Sequence, residues 1–426
     1  MSAFTSRWVE RPPHVVELSP AALPLGFRAA GAAAGLKAAA PGGEGCAGPP
    51  LDVGVLVSEV PDTVSAARFT TNARLGAPVI VSKESALGRL RAVVANSGGS
   101  NVGDGERGLA TARAAQAAAA ELLEVERDQV GLASTGLIGT ELHGERLLEG
   151  VRLAVASLEP DAEGFSRAIL TTDAGPKRAC LEVALPSGSV RLAAQAKGAG
   201  MISPRFATMF CFVETDAGLA PETIELLTGV CVKRSFDRIS VDGQLSTSDT
   251  VFALASGASG VRVTPESEDE LRLGEAMDAL LRTLALAIVA DGEGAARVGR
   301  VVVRGETEAV EPVARAVADS PLVKTALNGA DPNFGRILQA AGQALAGHRG
   351  GPAAIAHLDL DVQGRRLVSG GATLELDAAE WRGLEEAVRA PEVEYALTLP
   401  GGEAEAEVFF SDLGHDYVSV NAEYTS

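Results

Sequence analysis

Residues 197–216 read KGAGMISPRFATMFCFVETD: a lysine, a set of small residues and Pro204, then an apolar run that opens on Thr208. The run TMFCFVET has the length and the aromatic, β-branched character of a buried strand. Just upstream, LEVALPSGSVRLAAQAKG reads as a hairpin turning through Pro186, Ser187 and Gly188. Three strands in succession therefore centre on this stretch. A threonine at the mouth of the third is, taken alone, an ordinary β-former. It is also a nucleophile in waiting if its own backbone nitrogen becomes a chain terminus. An α-amino group titrates near pH 8, so a useful fraction is neutral and can take the hydroxyl proton without a histidine partner.

Working outward, LDVGVLVSE, APVIVS and RAVVANSG read as strands, and an Ala-rich helix follows over about 108–125. Helices are expected near 221–234 and 268–290. After Arg300 the pattern restarts with the strand VVVRG, the helix EAVEPVARAVADS and further strands, which predicts a smaller α/β unit over about 298–400. The first 50 residues, rich in Ala, Gly and Pro, read as irregular connections. Interleaved strands and helices make this an α/β (α+β) chain.

At 426 residues and 46% hydrophobic composition, the chain can fill two or more packed units. Its apolar stretches stop short of the roughly 20 residues a membrane span needs, and its start lacks the apolar core of a secretion signal. A net charge of −19 opposes nucleic acid and anionic membranes, and an anionic small substrate would need a dedicated cation. Cys46, Cys180, Cys211 and Cys231 form no CxxC pair, which fits buried thiols in a reducing cytoplasm. Five histidines without ligand spacing make a zinc site unexpected.

Several motifs are ambiguous singly. GEGCAG at 43–48 satisfies GxGxxG, but loop precedes it and a strand follows, the reverse of a dinucleotide-binding turn, so it reads as a Gly-rich surface loop. STGLIG sets Thr135 and Gly136 in a turn where backbone N–H groups could approach a developing negative charge. VDGQLSTSDT at 241–250 reads as a polar turn, DGEGA places Glu293 at a helix stop, and NGADPNFGRI is a turn cluster.

Together these blocks resemble the ornithine acetyltransferase family of arginine biosynthesis, also called glutamate N-acetyltransferase, whose members are autoprocessing N-terminal-nucleophile enzymes. GFRAAGAAAGLK, FTTNARLGAPV, VANSGGSN, STGLIG, AILTTDAGPK, AKGAGMISPRFATM, SFDRISVDGQLSTSDT, DGEGA, DPNFGRI and the terminal NAEYTS follow the family's order nearly end to end. The resemblance implies mixed sheets sandwiched by helices and a break between Ala207 and Thr208. It implies an alpha chain 1–207 and a beta chain 208–426 whose tail, 412–426, returns to the active site. Thr208 would be the nucleophile and Thr135 with Gly136 the oxyanion pair. Thr171, Lys197, Thr208, Glu293, Asn421 and Ser426 would contact substrate.

The implied reaction moves acetyl from N2-acetylornithine to glutamate through an acetyl-threonine, with acetyl-CoA as a further candidate donor and no metal or bound cofactor. The implied assembly is a cytoplasmic α2β2 heterotetramer. Departures from the family pattern surround the site. Gly99-Ser100-Asn101 stands for Asn-Ala-Asn and Arg205-Phe206 for Asn-Met. Asp237, Gln244 and Ser248 stand where Asn, Asp and Asn are common, and Phe334 replaces Trp. They bear on substrate identity rather than on nucleophile or fold, and keep two alternatives in view: a paralogue acting on another N-acyl amino acid, and an N-terminal-nucleophile amidase or peptidase passing the acyl group to water. A pocket that binds without turnover is the reading from another class.

Overall fold

The computed structural model describes residues 2–37, 49–203 and 209–423. Ala207, Thr208, Ser426, Cys46 and the Gly-rich stretch 43–48 lie outside them. A six-stranded sheet orders its strands Val15–Glu17, Lys177–Leu185, Gly188–Lys197, Phe210–Thr215, Thr250–Ala255, Val64–Phe69. Phe210–Thr215 runs antiparallel to Gly188–Lys197 and parallel to Thr250–Ala255. The parallel pair is joined through the helix Pro221–Arg234, because parallel neighbours cannot be closed by a tight turn.

Every residue of Phe210–Thr215 is buried, as expected of a strand covered on both faces. One face puts Cys211, Val213 and Val251 against Ile224, Leu227, Leu280 and Leu284 of the helices Pro221–Arg234 and Glu268–Ala290. The other puts Phe210, Phe212, Phe252 and Leu254 against Leu56, Val93 and Ala133 of a four-stranded sheet, Phe27–Ala32, Val53–Ser58, Ala92–Asn96, Val130–Ser134. The far face of that sheet packs Val53, Val94 and Leu132 on Ala112, Ala115 and Val151 from the helices Gly105–Leu123 and Gly144–Val155. The result is helices, sheet, sheet, helices. Residues 298–411 build most of a seven-stranded sheet whose core sets Val301, Val303, Leu397 and Phe410 against Val313, Val317 and Ile337.

Two expectations are corrected. APVIVS is a helix, Ala77–Lys83, not a strand. Gly76 and Pro78 start it, and Ser82 Oγ donates to the Leu132 carbonyl at 3.0 Å and accepts the Leu132 N–H at 2.8 Å, tying the helix to the middle of the edge strand Val130–Ser134. Proline suits a first helical turn, and packing overrides the β-branched composition. The first 50 residues are not all irregular, since Phe27–Ala32 is a strand. Its small residues answer a close crossing: a Cβ on Gly31 would lie 2.2 Å from the Gly164 carbonyl oxygen of the helix Glu163–Ala168.

Candidate active site

Lys197, Phe210 and Thr250 form one rung of the six-stranded sheet. Of the three, Lys197 reaches the cavity of the site. Lys197 is 2% exposed, and its ammonium lies 3.2 Å from Thr135 Oγ1 and 5.9 Å from the Phe210 ring centre. A hydroxyl that accepts from an ammonium keeps its own O–H free to donate outward. Burial and the nearby Lys177 lower the Lys197 pKa, against Asp173, Asp249 and Glu293, which raise it.

Thr135 and Gly136 follow the strand Val130–Ser134, with Thr135 N–H held by the Asn96 carbonyl at 3.0 Å. Gly136 has φ +128°, and a Cβ there would sit 2.6 Å from the Gly99 nitrogen. Only glycine fits. Its N–H has no acceptor among the described residues.

Asp173 organises the lysine side. Its Oδ1 accepts from Lys177 at 2.6 Å and from Gly198 N–H at 2.7 Å, and its Oδ2 accepts Thr171 N–H at 3.1 Å. Lys177 also donates to Asp291 at 2.5 Å. Burial pushes the Asp173 carboxyl up, but Lys197 and Lys177 outweigh it and hold it at about 2. The aspartate is thus a fixed negative charge.

Glu293 arrives from the end of the helix Glu268–Ala290. Its N–H donates to the Ala199 carbonyl at 2.8 Å. Its two carboxylate oxygens accept from Thr172 Oγ1 at 2.8 Å and from Asn421 Nδ2 at 2.7 Å. Asn421 lies on the last described helix, His415–Glu423. Thr135, Gly136, Thr171, Lys197, Glu293 and Asn421 line one cavity of about 310 Å³, and Ala207, Thr208 and Ser426 lie outside the described residues.

Met209 N–H, the nitrogen bonded to the Thr208 carbonyl carbon, donates to Asp249 Oδ1 at 3.0 Å. Asp249 is fully buried, and its Oδ2 has no partner among the described residues. Burial holds its carboxyl well above the usual range, with Met209 N–H and Lys197 opposing. Sequence reading missed Asp249, Thr172, Asp173 and Asp242. All four lie in quoted blocks, Thr172 and Asp173 in AILTTDAGPK and Asp242 and Asp249 in SFDRISVDGQLSTSDT, but nothing except the fold brings Asp249 beside Met209.

The ArgJ family model matches residues 28–426. The arginine biosynthesis bifunctional protein ArgJ of Nitratidesulfovibrio vulgaris is 41% identical over 411 residues, spanning 95% of this chain and 100% of that protein. Its namesake from Symbiobacterium thermophilum is 37% identical over 406 residues, spanning 94% of this chain and 97% of that one. Among solved structures, the ornithine acetyltransferase of Mycobacterium tuberculosis, in complex with ornithine, is 34% identical with a TM-score of 0.39, covering 46% of this chain and 99% of that chain. The chain belongs to the ArgJ family.

Proposed function

We propose that the chain cuts itself between Ala207 and Thr208, and that Thr208 then carries acetyl from N2-acetylornithine to glutamate. Membership in the ArgJ family makes it an acyltransferase of arginine biosynthesis. The observation that carries the residue assignments is the convergence of a buried ammonium, an unoccupied glycine N–H and a tethered carboxylate on one cavity beside the strand that follows residue 208.

In the first step, Thr208 Oγ attacks the Ala207 carbonyl carbon, the C–N bond gives way to an ester, and water opens it. The freed α-amine then takes the Thr208 hydroxyl proton as Oγ attacks the acetyl carbon. Gly136 N–H and the Thr135 hydroxyl hold the tetrahedral oxyanion, and Lys197 behind Thr135 strengthens that donor. Ornithine leaves with a proton on its α-nitrogen. Glutamate's amine attacks the ester in turn. Lys197 and Thr171 serve the shared α-carboxylate, Glu293 and Asn421 the reacting nitrogen, and Ser426 completes the tail.

This chemistry calls for no metal or bound cofactor. The cut pairs associate as a cytoplasmic α2β2 heterotetramer in this reading. In support, no helix among the described residues is long and apolar enough to cross a membrane, and Cys180, Cys211 and Cys231 are buried free thiols. The test is acetylglutamate formation from acetylornithine, repeated with acetyl-CoA, beside a denaturing gel. Two fragments, one beginning at Thr208, are expected, and Thr208→Ala should stay whole and inactive. A Thr208→Ala protein that still transfers acetyl would remove the nucleophile assignment.

A further inference from the structure

Just before the strand Phe210–Thr215 stands a buried carboxyl with one idle oxygen. Asp249 Oδ1 takes the Met209 N–H at 3.0 Å, and that bond alone would cap the strand. An asparagine or a serine could make it without burying an acid. Asp249 keeps a second oxygen, Oδ2, in a side chain with no solvent exposure, and it has no partner among the described residues. The Thr70 and Ser246 hydroxyls lie near the carboxyl, but Thr70 Oγ1 donates to the Ser246 carbonyl at 2.6 Å and neither hydroxyl bonds Oδ2. An unmade bond to a buried carboxyl is costly, so the idle oxygen calls for a partner.

The backbone on both sides is clamped. Thr70 N–H donates to the Asp249 carbonyl at 3.0 Å, and Thr250 N–H donates to the Met209 carbonyl at 3.2 Å. Covalent geometry then supplies the candidate. Consecutive backbone nitrogens are joined through one Cα and one carbonyl carbon, which keeps them roughly 2.7–3.7 Å apart at any ψ. The Thr208 nitrogen therefore stays about one hydrogen-bond length from the nitrogen that Asp249 already holds. In an intact chain it is an amide with one N–H. After the proposed cut it is an α-amine, the base for the Thr208 hydroxyl, with further N–H groups to place.

We propose that Asp249 is the positioning residue for the α-amine of Thr208, its Oδ2 accepting an N–H of that amine so that the nitrogen lone pair faces Oγ. Nucleophile, base and orienting carboxylate then act in that order. As the amine takes the hydroxyl proton it becomes an ammonium, and the carboxylate beside it stabilises the new charge. Before the cut, burial raises the Asp249 carboxyl against the Met209 N–H, Lys197 and the two hydroxyls, which lower it. A cation at Oδ2 adds to the lowering side. The inference rests on the cut and on Thr208 as nucleophile.

The test begins with a crystal structure of the cut wild-type protein, in which Oδ2 should lie within about 3.2 Å of the Thr208 nitrogen. A separation beyond about 4 Å overturns the assignment. Asp249→Asn keeps the size and the acceptor for Met209 N–H but puts an amide NH2 in place of Oδ2. It should still be cut, and its kcat for acetyl transfer should fall by about a hundredfold with KM for both substrates unchanged. Because a carboxylate raises the pKa of a neighbouring amine, the acid limb of the variant's kcat/KM profile should move to lower pH by about one unit. A strand cap would lower the rate without moving the limb, so an unmoved limb or a wild-type kcat overturns the assignment. A folded variant that is never cut overturns it too, because the carboxyl would then be needed before the amine exists. A wild-type chain that stays whole would overturn the cut itself.

Discussion

Gly200 shows how little freedom the site leaves. A Cβ at this position would lie 2.4 Å from one oxygen of the Glu293 carboxylate and 2.6 Å from the other. Because Glu293 is held on its far side by Thr172 and Asn421, it can yield only by giving up one of them. Gly200→Ala should therefore lower kcat/KM by about tenfold to a hundredfold, as sub-ångström to ångström misplacements of positioning groups do. Thermal unfolding should change little, since Met201 N–H and Ile202 N–H keep their Asp242 anchor. A Gly200→Ala enzyme with wild-type kcat/KM would show that Glu293 has no part in positioning substrate. The ordered blocks made Glu293 and Lys197 legible, whereas their chemistry alone did not: Glu293 reads as a solvated helix stop until Gly200 is seen against it. Lys197 reads only as a local cation for a substrate carboxylate until Thr135 is found beside it.

Among elements, the long helix Glu268–Ala290 was legible to the residue because it carries its own signals. Ser267 caps it, accepting Glu270 N–H at 3.2 Å, and three acidic residues fill its first turn. The helix Ala77–Lys83 and the strand Phe27–Ala32 were illegible because their conformations are set by what packs on them. The pair of strands Gly188–Lys197 and Phe210–Thr215 hides a feature that no alternation reveals. Glu214 lies fully buried between the sheets, its Oε2 taking Gln195 Nε2–H at 3.0 Å, while Glu214 Oε1 and Gln195 Oε1 have no partner among the described residues. Burial pushes its carboxyl up to about 8 from an ordinary 4.5, with Gln195 opposing. The folded state thus holds the extra proton, and stability falls as pH rises from the unfolded value through the folded one. The loss is at most about 1.4 kcal/mol per pH unit across that window. Glu214→Gln supplies the missing N–H donor without a charge. Its stability relative to wild type should grow between pH 5 and pH 9, read as the difference in urea midpoints. A difference that stays constant with pH would mean that Glu214 is ionised in the fold.

At the scale of the whole molecule, the cut proposed after Ala207 runs through the middle of one sheet. Val15–Glu17, Lys177–Leu185, Gly188–Lys197 and Val64–Phe69 come from residues before it, and Phe210–Thr215 and Thr250–Ala255 from residues after it. Sheet order interleaves the two: the latter pair sits between Gly188–Lys197 and Val64–Phe69, hydrogen-bonded on both sides. The aromatic layer is shared as well, with Phe165 edge-on to Phe212 at 4.9 Å and Phe69 edge-on to Phe252 at 5.8 Å. Separating the halves would expose two strand edges and both faces of the central core, a cost of the order of the full folding free energy, not of an ordinary interface. The cut chains should therefore elute together in size-exclusion chromatography without denaturant, and should part only over the urea range in which far-ultraviolet circular dichroism is lost. Neither half expressed alone can complete the six-stranded sheet, so neither should reproduce the unfolding midpoint of the associated pair. Halves that separate while keeping all of their circular dichroism would mean that the six-stranded sheet is not shared between them, against the interleaved strand order.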